Sequence, residues 1–294
     1  MSYENPGVKH TVNVSKDSDL ATFLRLLLTF SLIIIIGFTA LSLALRFGAR
    51  YIPFSFETWL SRSVIQHIVS APQKEKHRLA LTKLQNLAND LARHMDAPAN
   101  MPIHIHLNGD ETPNAMAILG GHIIITQGLL NNLSSENGLS MVIAHELAHI
   151  KNRDALITLG ARFALSLMSA MIAGQNSNLL VNSAGTLTRL SFSRKQENTA
   201  DAVALATMRS YYGHTYGADE FFQIIINSEK ETFAQFLRTH PPTQDRIALI
   251  QKSQSWTVQP ALTPLPREIV DIQDKTKSRK NNQDDIDTKT DSLS

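Results

Sequence analysis

The sequence predicts an α+β chain, mainly helical with a small β-sheet, preceded by one N-terminal transmembrane helix. Three observations carry that reading. Leu26–Leu45, LLLTFSLIIIIGFTALSLAL, holds no charge and is bounded by Arg25 and Arg46; about 20 apolar residues suffice to cross a bilayer as a helix. Ile103–Leu107 alternates and His122–Thr126 is β-branched, as short strands are. Elsewhere apolar residues recur at helical spacing, as in Leu139, Ile143, Leu147 and Ile150.

Composition narrows the class. A hydrophobic content of 43% builds a proper core, and a net charge of +2 with no aromatic-basic patch argues against nucleic acid as a partner. Charged residues at 18% are few for a soluble protein, in keeping with a membrane segment. The chain has no cysteine, which excludes disulfides, thiolate metal sites and a cysteine nucleophile.

The first 25 residues read as a polar tail. A cleavable signal peptide is the rival reading of the apolar stretch, but that stretch exceeds an ordinary h-region and no small-x-small site follows. Tyr51–Ala71, with Pro53, Phe54, Phe56 and Trp59, reads as a connector suited to the membrane–water interface. Gln73–His94 reads as an amphipathic helix stopped by Pro98 and Pro102. His104 and His106 share the polar face of the first strand, and a solvated face accounts for them without a ligand. Gly120-Gly121 suits a hairpin turn before the next strand, whose edge could hold an extended peptide.

Ala155–Ala173 is apolar apart from Arg162 and reads as a core helix or one against the membrane surface. Ser193–Met208 is a further helix, with shorter helical segments at Phe221–Ile226, Phe233–Leu237 and from Asp245 to Gln251. From Arg267 onward few apolar residues remain, the composition of a disordered tail.

The chemistry centres on Ala144-His145-Glu146-Leu147-Ala148-His149. Ser134 or Ser135 caps this helix and Glu136 favours its first turn, while Gly138 argues mildly against it. On a helix, His145 and His149 stack on one face, and Glu146 lies roughly 100° round the axis. This is the H-E-x-x-H arrangement: two zinc ligands, and a carboxylate to take a proton from water at the metal. A catalytic zinc normally has a third protein ligand. Glu197 is the candidate, with Asp219, Glu220, Glu229 and Glu231 as competitors. Asp201, four residues after Glu197, faces the same way and can accept the N–H of a liganding histidine. His240, stiffened by Pro241 and Pro242, is a candidate donor to the oxyanion of the transition state, or else a surface histidine at a helix end.

PNAMAILGG, AHELAHIKNRD, SRKQENTAD and THPPTQDRI follow one another in this order. In these motifs, over roughly residues 73–250, the chain resembles the metallopeptidase family that contains HtpX and the CAAX prenyl-protein endoproteases, with their bacterial and mitochondrial quality-control relatives. The resemblance implies a zincin-like fold, one catalytic Zn2+ on His145, His149 and Glu197, and Glu146 as the catalytic base. It also implies that Asn114 contacts the substrate main chain, that His240 assists the transition state, and that Asp201 and Arg246 support the site.

One convincing span sets the chain apart from multi-span members, and the expected role is protein quality control on misfolded or membrane-associated polypeptides. A chaperone-like or assembly factor that uses the site for binding is the alternative. The expected organisation is 1–25 tail, 26–45 anchor, 46–72 juxtamembrane connector, 73–255 metallopeptidase domain and 256–294 linker with disordered tail. Positive charges flank the span almost equally: Lys9, Lys16 and Arg25 before it, Arg46, Arg50 and Arg62 after. The orientation taken is a catalytic domain on the periplasmic side of a bacterial inner membrane.

Overall fold

The structure, a computed structural model, describes residues 18–68, 75–173, 190–227, 233–241, 243–253 and 259–273. The chain opens with α1 (Asp19–Gly48), capped where the Ser18 hydroxyl accepts the Ala21 N–H at 3.1 Å. It is the one described helix long and apolar enough to cross a membrane, and none of its apolar window is buried against the rest of the chain. The tail expected before it lies outside the described residues up to position 17, and the helix itself begins ahead of the apolar stretch.

Within the connector expected at 46–72, the described residues reach position 68. Residues 54–68 form α2 (Phe54–Ile68), entered through Pro53. Its buried stripe at Phe54, Glu57 and Ser61 is mostly polar, so apolar periodicity could not reveal it. Glu57 is buried because it is paired: it binds the Arg153 guanidinium and accepts the Gly120 N–H at 3.1 Å. Arg153, held at φ 60°, also lies over the Phe54 ring at 3.2 Å. The juxtamembrane helix is thereby bolted to the domain.

Helix α3 (Glu75–His94) buries Leu84, Leu87 and Leu91 as its periodicity predicts. Three strands follow: β1 (His104–Asn108), β2 (Ala115–Ile118) and β3 (His122–Thr126). The order is β1-β3-β2, with β1 parallel and β2 antiparallel to β3. The outer edge of β1 is closed by Gln85, whose amide accepts the Ile105 N–H at 3.0 Å and donates to the Ile103 carbonyl at 3.1 Å. The β2–β3 turn uses Gly120 and Gly121 at φ 82° and 80°. A Cβ at Gly121 would fall 2.0 Å from the Pro102 carbonyl oxygen, so only glycine fits.

After the short α4 (Gln127–Asn132) comes α5 (Glu136–Lys151), the central helix, buried at every position from Asn137 to Ile150. Ser135 caps it, accepting the Gly138 N–H at 3.0 Å. Gly138 now has a reason: a Cβ there would lie 2.3 Å from the Glu220 carboxylate, which binds Ser134 and Ser135 at the helix start. Helix α6 (Asp154–Ala173) begins in the core at Ala155, Leu156 and Leu159, then runs beside the end of α1. Gly160 faces the Leu45 side chain there, and Phe163 and Leu165 are exposed.

Helix α7 (Arg194–Tyr212) starts in a capping box between Ser193 and Gln196 and ends at Gly213 in the left-handed region. It packs along α5; α8 (Glu220–Asn227) packs on α5, α9 (Ala234–Thr239) follows, and α10 (Gln244–Ser253) packs on α7. The chain then returns to the domain rather than leaving it. The Glu136 N–H binds the Thr263 carbonyl at 2.9 Å, and Ile269 of α11 (Arg267–Val270) is fully buried. Part of the linker expected at 256–294 thus packs against the domain. Leu265 and Ile269 are too sparse to register as a periodic face, yet each fills the core. The remainder of the expected tail, 274–294, lies outside the described residues.

Candidate metal centre

Helices α5 and α7 pack together so that His145, His149 and Glu197 converge with His240, which caps the end of α9. One ligand atom each from His145, His149, Glu197 and His240 lies within 4.8 Å of the others, and all four residues are buried. The Nε2 atoms of His145 and His149 are 3.1 Å apart. Glu197 approaches them at 3.4 Å and 3.6 Å, and His240 Nδ1 lies 3.1 Å from the Glu197 carboxylate.

The opposite ring nitrogens are fixed. His145 Nδ1–H donates to Asp201 at 2.8 Å, and His149 Nδ1–H donates to Asp154 at 2.8 Å. Because a carboxylate only accepts, each bond keeps a proton on Nδ1 and turns Nε2 towards the centre. The pairing of a histidine with Asp201 is expected from sequence. The pairing with Asp154 is not, because Asp154 follows the α5 terminus across a turn whose path periodicity does not set. Asp154 also accepts from Gln196 at 3.0 Å, which ties the end of α5 to the start of α7.

Arg246 reaches the group from α10. Its guanidinium binds Asp201 at 2.6 and 2.9 Å and Glu197 at 2.7 Å. Phe192 stacks on the His149 ring at 4.0 Å and Phe236 on His240 at 4.9 Å, walls that sequence reading missed. Glu220 is occupied at the start of α5 and is no third ligand, while Glu229 and Glu231 lie outside the described residues.

Glu146 sits on the sheet side of α5. Its Oε2 accepts the Ala117 N–H of β2 at 2.7 Å. Its Oε1 is buried without a hydrogen-bond partner, as is His240 Nε2, and the two lie 3.5 Å apart. Asn114, just before β2, is fully buried with both side-chain amide atoms unpartnered.

Electrostatics follow from this packing. Burial alone would lower the pKa of His145, but its bonds to Asp201 and Glu197 push it up to about 10. Burial pushes His149 down against the opposing bond to Asp154. Burial would raise Glu197 and Asp201. His240 and His145 instead hold Glu197 well below the carboxylate range, and His145 and Arg246 hold Asp201 low. Four buried carboxylates (Glu146, Asp154, Glu197 and Asp201) thus surround imidazoles and one guanidinium, Arg246. Excess negative charge in a dry interior calls for a cation. The donor set fits a metal ion.

The model of peptidase family M48 matches residues 79–254. A protease HtpX homologue of Campylobacter hominis is 26% identical over 253 residues, covering 70% of this chain and 89% of that protein. A protease HtpX homologue of Salinibacter ruber is 29% identical over 231 residues, covering 66% and 82%. The mitochondrial metalloendopeptidase OMA1 of Schizosaccharomyces pombe is 31% identical over 156 residues, half of this chain but only 45% of that protein. The matched segment spans α5, α7 and the buried group between them, and this chain belongs to the metallopeptidases of family M48.

Proposed function

We propose that the chain is a membrane-anchored zinc endopeptidase in which His145, His149 and Glu197 hold the ion and Glu146 is the general base. The observation that carries this reading is Glu146 Oε1, buried and unpartnered beside the four-residue group. Zinc suits two neutral imidazoles and a carboxylate in a chain without cysteine. When bound, the ion supplies Lewis acidity to water and to the scissile carbonyl.

The chain's own residues do the rest. Ala117 N–H fixes one oxygen of Glu146, so Oε1 receives the water proton and delivers it to the leaving amine. His240 Nε2 is the donor to the oxyanion. Asp201 orients His145, and Arg246 neutralises Asp201 and Glu197 together.

Substrate binding follows from sheet geometry. The Thr126 N–H bonds the Asn114 carbonyl at 3.1 Å. Antiparallel pairing alternates, so Ala115 and Ala117 turn their backbone groups to the free edge of β2. Ala117 N–H is taken by Glu146, leaving the Ala115 groups and the Asn114 amide to hold an extended peptide main chain. Recognition through main chain rather than side chains suits unfolded or membrane-associated polypeptides, hence a role in protein quality control. We place the catalytic domain on the periplasmic side of a bacterial inner membrane.

Casein cleavage by detergent-purified wild type and Glu146→Gln, with zinc measured in both, tests the reading. Zinc in both and cleavage only in wild type is expected. Cleavage by both overturns Glu146 as base, and absence of zinc from both overturns the metal centre.

A further inference from the structure

We propose that His104, His106 and His122 form a second metal site, an all-imidazole centre for a zinc-like transition metal on the face of the sheet turned away from α5. Ile105, Ile123, Ile125, Ala115 and Ala117 pack into the core with α3 and α5. Strand alternation puts His104, His106 and His122 on the opposite face.

The register brings the three together. β1 and β3 run parallel with His104 opposite His122, and His106 lies one pleat further along the same face. Neighbouring strands are about 4.8 Å apart and next-but-one residues about 6.6 Å, so the three Cβ atoms form a small triangle above one face. The rings follow: His104 and His122 have centroids 4.9 Å apart, His106 and His122 5.1 Å. His106 Nε2 and His122 Nδ1 share a hydrogen bond at 2.9 Å, and an ion would take the place of the hydrogen between them once the donor ring moves its N–H to its other nitrogen. Zinc–nitrogen bonds of about 2.0–2.1 Å in a tetrahedral site place ligand nitrogens roughly 3.3 Å apart, so this pair needs only a few tenths of an ångström. His104 is exposed, and its ring supplies the third nitrogen by turning about its own side-chain bonds without moving the core.

The solvated strand face expected for His104 and His106 is thus only half right. His104 is exposed, but His106 is half-buried and meets a third histidine that is buried. Burial, with His106 and His104 beside it, lowers His122 to about 4, and burial lowers His106 as well. Three nitrogen donors select zinc, copper, nickel or cobalt over magnesium or calcium.

Zinc stoichiometry of the full-length protein in detergent, after equilibrium dialysis against zinc and a weak chelator, is the test. Wild type is expected to hold two ions per chain. His122→Ala and His104→Ala should each hold one and still cleave casein, whereas His149→Ala should lose the other ion together with cleavage. His104 is exposed, so its variant folds even where the buried His122→Ala does not. A single ion in wild type, unchanged by His104→Ala and lost in His149→Ala, overturns the sheet site and leaves the catalytic reading intact. Two ions in wild type and in both sheet variants likewise overturns it.

Discussion

Asp154 accepts the Nδ1–H of His149 at 2.8 Å while holding Gln196 at 3.0 Å. One carboxylate thus sets the tautomer of a candidate ligand and fixes the entry of the helix that carries Glu197. Replacing it with Asn keeps the shape and removes the charge. Outer partners of this kind are worth about 10–100-fold in metal affinity. Asp154→Asn is expected to weaken zinc binding by that range in a chelator competition, and an unchanged affinity would refute the role.

Among the described residues, Arg246 is the one guanidinium bound to Asp201 and Glu197, and it is 1% exposed. Removing it leaves both carboxylates buried and less compensated, a loss of about 3–5 kcal/mol. Denaturant unfolding of Arg246→Ala should show that drop. Arg246→Lys should recover only part of it, because an ammonium cannot make the two-pronged contact to Asp201.

His240 stands inside the four-residue group, so it is either a ligand or a donor. The donor reading expects His240→Ala to keep its zinc and lose about 10²–10³ in kcat. Metal content and kinetics on the same preparation separate the two, since loss of the ion would make His240 a ligand.

His122 gives a pH test away from the catalytic group. Its folded-state pKa is lowered to about 4 by burial and by His106 and His104, against 6.5 in the unfolded chain. Between those values the unfolded state binds the extra proton, so stability rises with pH across the window. The contribution is complete above about pH 6.5 and is lost as pH falls towards 4. In metal-free buffer, His122→Gln should flatten the dependence of unfolding free energy on pH over that window. Parallel curves for the two proteins would contradict it.

The core cluster on the far side of the sheet from α5 shows why α2 is not legible from apolar periodicity. Ile118, Leu119 and Ile124 pack there with Leu156, Leu159 and Phe192, and the partly buried Leu60 and Ile65 of α2 pack against it. Helix α2 contributes through a stripe that includes Glu57 and Ser61, residues whose burial makes sense only once Arg153 and Gly120 are in place. Likewise only the motif resemblance points to Asn114, because no periodicity marks a buried amide that lacks a partner.

The sequence by itself determined what depends on neighbours along the chain. Helical spacing puts His145 beside His149 and Glu197 beside Asp201, period-two alternation marks the strands, and an uncharged apolar run marks the anchor. Only the tertiary structure decided which carboxylate meets which imidazole, that Ala117 holds Glu146, that His122 joins His104 and His106, and that residues 259–273 return to the core. Each of these contacts joins groups brought together by the path of the backbone between them. That path is set by the packing of every element at once, and local propensity does not encode it.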